Sequence, residues 1–180
     1  MTRKSSFPPV IDENTRVLVL GSLPGEASLA AGRYYAHPRN EFWHLIGAVI
    51  DVDLVALDYE ARLDTLREHG VGLWDTVSSG KRQGSLDAAL REIEGNDLTA
   101  VLGQAPAIAA IGFNGATSAR IGRPVLGGVL GGMPDLALID LPSSSPAFAA
   151  MPLAEKTRRW LALRPYLDQA KKDAATELRT

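Results

Sequence analysis

Apolar and polar positions along the chain switch repeatedly between two periods. Arg16 to Leu20 contains the continuous apolar run Val17-Leu18-Val19-Leu20, bounded by Gly21 and too short for a helix, which predicts a strand buried on both faces. From Asn40 to Ile50 the apolar positions Phe42, Leu45, Ile46 and Val49 recur at helical spacing. That pattern predicts a helix with one inward face, with Asn40 suited to cap its first turn. The same reading predicts a helix from about Leu57 to His69 stopped at Gly70, and a short strand from Val71 to Trp74 leading to Asp75. Ser85-Leu86-Asp87 opens a further helix, and Asn96-Asp97 opens another across Leu98 to Leu102. Ala107 to Ile111 then reads as a strand running into Gly112-Phe113-Asn114-Gly115, and Leu136 to Leu141 as one running into Pro142-Ser143-Ser144-Ser145-Pro146. A last helix follows Pro152, with Leu153, Trp160, Leu163 and Leu167 as its core positions.

Strands separated by helical segments predict the α/β class, as a three-layer α/β/α arrangement with a short, mostly parallel central sheet. There is no internal repeat, and 180 residues of 46% hydrophobic content suit one domain spanning 1–180, with 1–14 and 171–180 as peripheral or flexible tails. Each strand ends in a loop carrying polar groups: GSLPG, WDTVSSG, GFNG and PSSSP. Open α/β sheets bind ligands beyond the carboxyl ends of their strands, so one shared pocket is expected there.

Composition narrows the chemistry. The chain has no cysteine, which excludes disulfides, thiolate metal sites and a cysteine nucleophile, and its histidines, His37, His44 and His69, are scattered. GSLPG lacks the Lys-Ser/Thr ending of a nucleotide P-loop and no G-x-G-x-x-G follows a strand, so neither a metal nor a cofactor is indicated. No G-x-S-x-G elbow accompanies Ser143, Ser144 and Ser145, which read as neutral hydroxyl donors between two rigid prolines. The polar first residues and the absence of a long apolar run predict a soluble, cytoplasmic protein, and a monomer is expected. With a formal net charge of −2, a nucleic-acid partner would have to be held by a local basic face and by backbone amides.

The densest chemistry lies between Gly21 and Trp43, where Tyr34, Tyr35, His37, Arg39, Asn40, Phe42 and Trp43 crowd together and suit a flat, polar, aromatic ligand. Several residues carry two readings. Tyr34 and Tyr35 are a loop hydrophobic pair or a stacking platform; Asn114 is an amide offering a donor and an acceptor side by side to a ligand, or half of an Asn-Gly turn. His37, before Pro38, is a loop histidine or a contact to phosphate or sugar. Asn40 is a helix cap or a catalytic amide, and Asp75 a strand-end cap or a general base.

GSLPG followed by YYAHPRNEFW, with LPSSSPAFAA after the last strand, resembles the uracil-DNA glycosylase superfamily, and within it most closely the hypoxanthine-DNA (deoxyinosine) glycosylases, over roughly Val17 to Phe148. The resemblance implies a monofunctional glycosylase of base excision repair, acting on DNA without metal or cofactor. Such an enzyme hydrolyses the N-glycosidic bond of an everted deaminated base, hypoxanthine first and uracil second. Mismatch-specific uracil and thymine relatives share HP-x-N-x-FW but open with GINPG, whose asparagine positions the attacking water. Leu23 stands there in this chain, and the resemblance passes the role to Asn40, with Asp75 as second catalytic candidate. It further implies base contacts from Gly21, Ser22, Leu23, Tyr35, Phe42, Asn114 and Ser143, the last standing where uracil-specific enzymes carry histidine or asparagine. His37, Arg39, Ser144, Ser145, Pro146, Ala147 and Phe148 would face DNA; Ala147 replaces an intercalating leucine, so wedging passes to Phe148. Other readings are a uracil or mismatch-specific uracil/thymine glycosylase, a non-catalytic module for modified bases or nucleotides, which Leu23 favours, and a small-molecule hydrolase using the serine loop.

Overall fold

The computed structural model describes residues 2–168; the tail expected over 171–180 lies outside the described residues. In chain order the strands are β1 (Arg3–Ser5), β2 (Val17–Gly21), β3 (Val71–Asp75), β4 (Val77–Lys81), β5 (Arg91–Gly95), β6 (Ala110–Asn114) and β7 (Ala137–Leu141). The α-helices are α1 (Glu26–Ala31), α2 (Phe42–Ile50), α3 (Tyr59–Glu68), α4 (Leu98–Gln104), α5 (Ala116–Gly127) and α6 (Leu153–Trp160).

A four-stranded parallel sheet of order β3-β2-β6-β7 forms the middle layer. Strand β2 is buried along its whole length, as an apolar run without alternation requires. Its side chains divide two cores. Val17 and Val19 pack with Leu45 and Ile46 of α2, Leu63 and Leu66 of α3, and Trp160 of α6. Leu18 and Leu20 pack on the opposite face with Leu98 and Val101 of α4 and Ala119 and Leu126 of α5. The three-layer α/β/α arrangement is thus present, and Asp58 and Asp97 cap α3 and α4 by accepting the Ala61 and Ala100 amides at 2.9 Å each.

A second, three-stranded antiparallel sheet of order β1-β4-β5 was not anticipated. Its strands VSSGK and REIEG are mostly polar, and β5 is exposed throughout, so no apolar alternation marks them. The amino-terminal segment is correspondingly no loose tail. Strand β1 pairs with β4, Val10 bridges Leu73, and the Phe7 ring meets Tyr34 edge-on at 5.2 Å.

Other departures are local. Ser85-Leu86-Asp87 opens only a 3-10 turn, Asp87–Ala89, because the Asp87 carboxylate is engaged by Ser22 and Arg82 rather than by a following amide. Strand β6 starts at Ala110, three residues later than Ala107, because α4 runs on to Gln104 and the chain needs the intervening residues to return to the sheet. Helix α2 starts at Phe42 with Glu41 as its cap residue, while the Asn40 side-chain oxygen Oδ1 accepts the Phe42 amide at 3.0 Å. Leu153 is 39% exposed on the first turn of α6, leaving Trp160, Leu163 and Leu167 to fill the core. Among the described residues no helix is long and apolar enough to cross a membrane.

Candidate active site

A cavity of about 320 Å³ opens at the carboxyl edge of the parallel sheet. The turns after β2, β3, β6 and β7 meet there, as the chain order of apolar strands and polar loops demands. Gly21 ends β2 at its floor. A β-carbon at this position would lie 2.6 Å from Asp75 Oδ1 and 3.2 Å from the Tyr35 hydroxyl, so only glycine lets these groups converge.

Asp75 ends β3 and is 4% exposed. Burial pushes its carboxyl up to about 7; the hydroxyl of Ser6, donating to Oδ2 at 2.9 Å, opposes this, the Asp87 carboxylate adds to it, and the Arg82 guanidinium counters. Tyr35 adopts a left-handed backbone, φ 52°, that directs its ring into the site. The ring stacks on Phe42 at 3.8 Å and 10°, the Trp43 indole donates to the Tyr35 carbonyl at 3.2 Å, and burial raises the Tyr35 phenol above its ordinary range. Phe42 itself is fully buried behind Tyr35 and forms no part of the cavity wall.

Asn114 ends β6 and ties three segments together. Its amide nitrogen donates to the Tyr35 hydroxyl at 3.2 Å and to Ser144 Oγ at 2.9 Å, while its oxygen accepts the Ser144 amide at 2.9 Å. Gly115 follows at φ 96° and starts α5, so an amide anchor and an Asn-Gly turn coexist. Ser144 is buried and spent on Asn114, and its carbonyl accepts the Glu41 amide at 3.0 Å. It is therefore a brace between β7 and α2 rather than an open hydroxyl.

Ser143 lies at the wall against Gly115 and accepts the Ser145 amide at 3.2 Å; Ser145 in turn accepts the Ala147 amide at 3.2 Å. Pro146, Ala147 and Phe148 continue the wall outward. The Phe148 ring stands 5.4 Å from the ammonium of Lys156, a buried lysine paired with Glu41. Asn40 and His37 reach the cavity wall, and Arg39, exposed, does not. His37 Nδ1 accepts the Arg39 amide at 3.1 Å; the Asn40 side-chain nitrogen has no hydrogen-bond partner among the described residues.

Ser22 donates to both oxygens of Asp87 at 2.7 and 2.8 Å, and Leu23 is buried with Val77 and Leu90. Asp87 and Arg82, which hold this loop, are the functional neighbours that the sequence reading missed. The Arg82 guanidinium is buried and donates to the Leu23 carbonyl at 3.3 Å, the Pro24 carbonyl, the Gly84 carbonyl at 3.2 Å and Asp87 at 3.3 Å. The only signal is the spacing of Arg82 and Asp87 around a Gly-Ser turn, which in a polar stretch is indistinguishable from solvated charge. Among the described residues no group of three or more His, Cys, Asp or Glu side chains is placed to hold a metal ion.

The chain is similar to known proteins over most of its length. A model of the uracil DNA glycosylase superfamily matches residues 8–164. A hypoxanthine DNA glycosylase of Methanosarcina barkeri is 43% identical over 124 residues, 69% of this chain and 78% of the relative. One of Methanosarcina acetivorans is 40% identical over 126 residues, 70% of this chain and 79% of the relative. A solution NMR structure of a Methanosarcina acetivorans protein, provisionally described as a uracil DNA glycosylase, superposes with a TM-score of 0.78 at 35% identity, covering 93% of this chain and 99% of that one.

Proposed function

The chain belongs to the uracil DNA glycosylase superfamily and is a DNA glycosylase, and on that premise we propose that it removes deaminated bases from DNA, hypoxanthine first and uracil second. The observation that carries this reading is the cavity at the sheet edge. Its volume of about 320 Å³, stacked tyrosine and neutral donors suit one everted base. The similarity to two hypoxanthine DNA glycosylases supports the order of preference.

Hydrolysis of an N-glycosidic bond develops positive charge on the sugar and negative charge on the departing base, so preorganised dipoles in a site closed to bulk water lower the barrier. The loop edge takes the flanking phosphates, Phe148 enters the gap left in the stack, and the base lies on the open face of Tyr35. Asn40 already spends its carbonyl oxygen on the Phe42 amide, which leaves its NH2 aimed for work at the cavity wall, where it holds water or the base. Asn114 fixes Tyr35 against the serine loop and offers its second carbonyl lone pair to the base edge. Ser143 leaves room for a purine. The products are an abasic site and free base, and the protein acts as a monomer.

The test is incubation of the purified protein with duplexes bearing hypoxanthine, uracil, xanthine or mismatched thymine, followed by alkaline cleavage. Alkali-dependent breaks at hypoxanthine, then at uracil, are expected. Tight binding without breaks would favour the module reading, to which the buried Leu23 in the water-holding position points.

A further inference from the structure

We propose that Asp75 is the acid of the reaction: as a neutral carboxyl group it gives its proton to a ring nitrogen of the everted purine while the glycosidic bond breaks, with Ser6 as the residue that positions it. The inference rests on the glycosylase reading and deepens it. The two carboxylate oxygens have different surroundings. Oδ2 is held by the Ser6 hydroxyl from the amino-terminal segment. Oδ1 lies against Gly21 and has no hydrogen-bond partner among the described residues, and Asp75 is one of the residues that line the base cavity.

The charges around Asp75 decide its protonation. Asp87 faces it from the turn after β4, Arg82 from the same turn, Tyr34 and Tyr35 from the segment after α1, and His37 stands at the wall of the same cavity. Arg82 is committed to three carbonyls and to Asp87, and Ser22 gives Asp87 a further hydrogen bond to both oxygens. Burial raises the Asp87 carboxyl too, but there the Ser22 hydroxyl and the Arg82 guanidinium oppose the rise, whereas Asp75, buried, is paired only with a hydroxyl. Two neighbouring carboxyl groups so supported divide the labour: the charge resides on Asp87 and the proton on Asp75.

In the step itself the C1′–N9 bond breaks, its electron pair moves into the purine, and the Asp75 O–H proton goes to N3 or N7. Water adds to the sugar carbon and releases a proton that restores the carboxyl, so water is consumed and the neutral base and abasic sugar result. A purine offers free ring nitrogens for this proton. Uracil offers only carbonyl oxygens once its N1 is the leaving atom, so the device belongs to the purine.

Single-turnover excision should be measured from pH 5.5 to 9. For hypoxanthine the wild type should be flat below about pH 7 and fall about tenfold per unit above it. Asp75→Asn should lose this limb and about 10²-fold or more of rate at pH 6, with a smaller loss on uracil. Ser6→Ala removes a hydrogen bond that favours the ionised form, so the limb should move to higher pH; a merely structural serine would lower the rate equally at every pH. A second readout needs no DNA. Because the carboxyl sits near 7 folded against 3.8 for the free group, the folded state keeps a proton that the unfolded chain releases, and stability from this group is lost as pH rises between those values. Asp75→Asn should therefore raise Tm at pH 8 and leave it nearly unchanged at pH 4. A rate that rises through neutrality, a limb that survives in Asp75→Asn, or a Tm gain confined to acid pH would overturn the proposal. A wild type that excises nothing at any pH would instead overturn the glycosylase reading and the proposal with it.

Discussion

On the proposed reading Asn40 carries a structural and a chemical duty on one side chain, and measurement separates the two. Its oxygen accepts the Phe42 amide at the start of α2, a contact worth about 1 kcal/mol, and its nitrogen is left for the cavity. Asn40→Ala should lower both stability and single-turnover excision, the latter by roughly 10²–10³. Asn40→Ser restores an oxygen for the Phe42 amide without an NH2, so its melting point should return towards the wild type while excision stays slow. Recovery of the rate along with the melting point would reduce Asn40 to a cap. At this scale the sequence was informative where a residue sat in a motif, as at Asn40, Tyr35 and Gly21. It was silent on how Asn114 spends its amide, because the partners, Tyr35 and Ser144, are 79 and 30 residues away.

Among the elements, the parallel sheet was legible and the antiparallel one was not, for a single reason. Strands β2, β3 and β6 are buried by their own apolar side chains, whereas β4 and β5 are mostly polar strands held by pairing with each other and with β1, which no apolar pattern marks. The small sheet nevertheless shapes the site, since its turn supplies Arg82 and Asp87 beneath GSLPG. Removing the guanidinium leaves the Leu23 and Pro24 carbonyls unpaired inside the protein. Arg82→Met should cost about 2–4 kcal/mol, read as a fall in Tm of roughly 2–4 °C per kcal/mol for a chain this size. Arg82→Lys should recover little, because a point charge cannot fork to several carbonyls. A lysine variant as stable as the wild type would show that charge rather than geometry holds the loop.

For the molecule as a whole, a formal net charge of −2 argues against long-range attraction to DNA, so the grip must be local. Beside Tyr35 a second hollow of about 500 Å³ carries Arg33, Arg62, His37 and His44 on the side away from the serine loop, and Arg39 is exposed nearby. Log affinity for lesion duplexes should therefore fall linearly with log salt, with a slope of about −2 to −5, the signature of a few phosphates. Salt-independent binding of free nucleoside, without preference for polymer, would point to a small-ligand protein instead. The aromatic cluster that anchors the site also has an optical side. Trp43 meets both Tyr35 and Phe42 edge-on and donates its indole hydrogen to the Tyr35 backbone. A buried fluorophore is thus joined to the ring proposed to carry the base, so filling the cavity should change the protein's own emission without any added label.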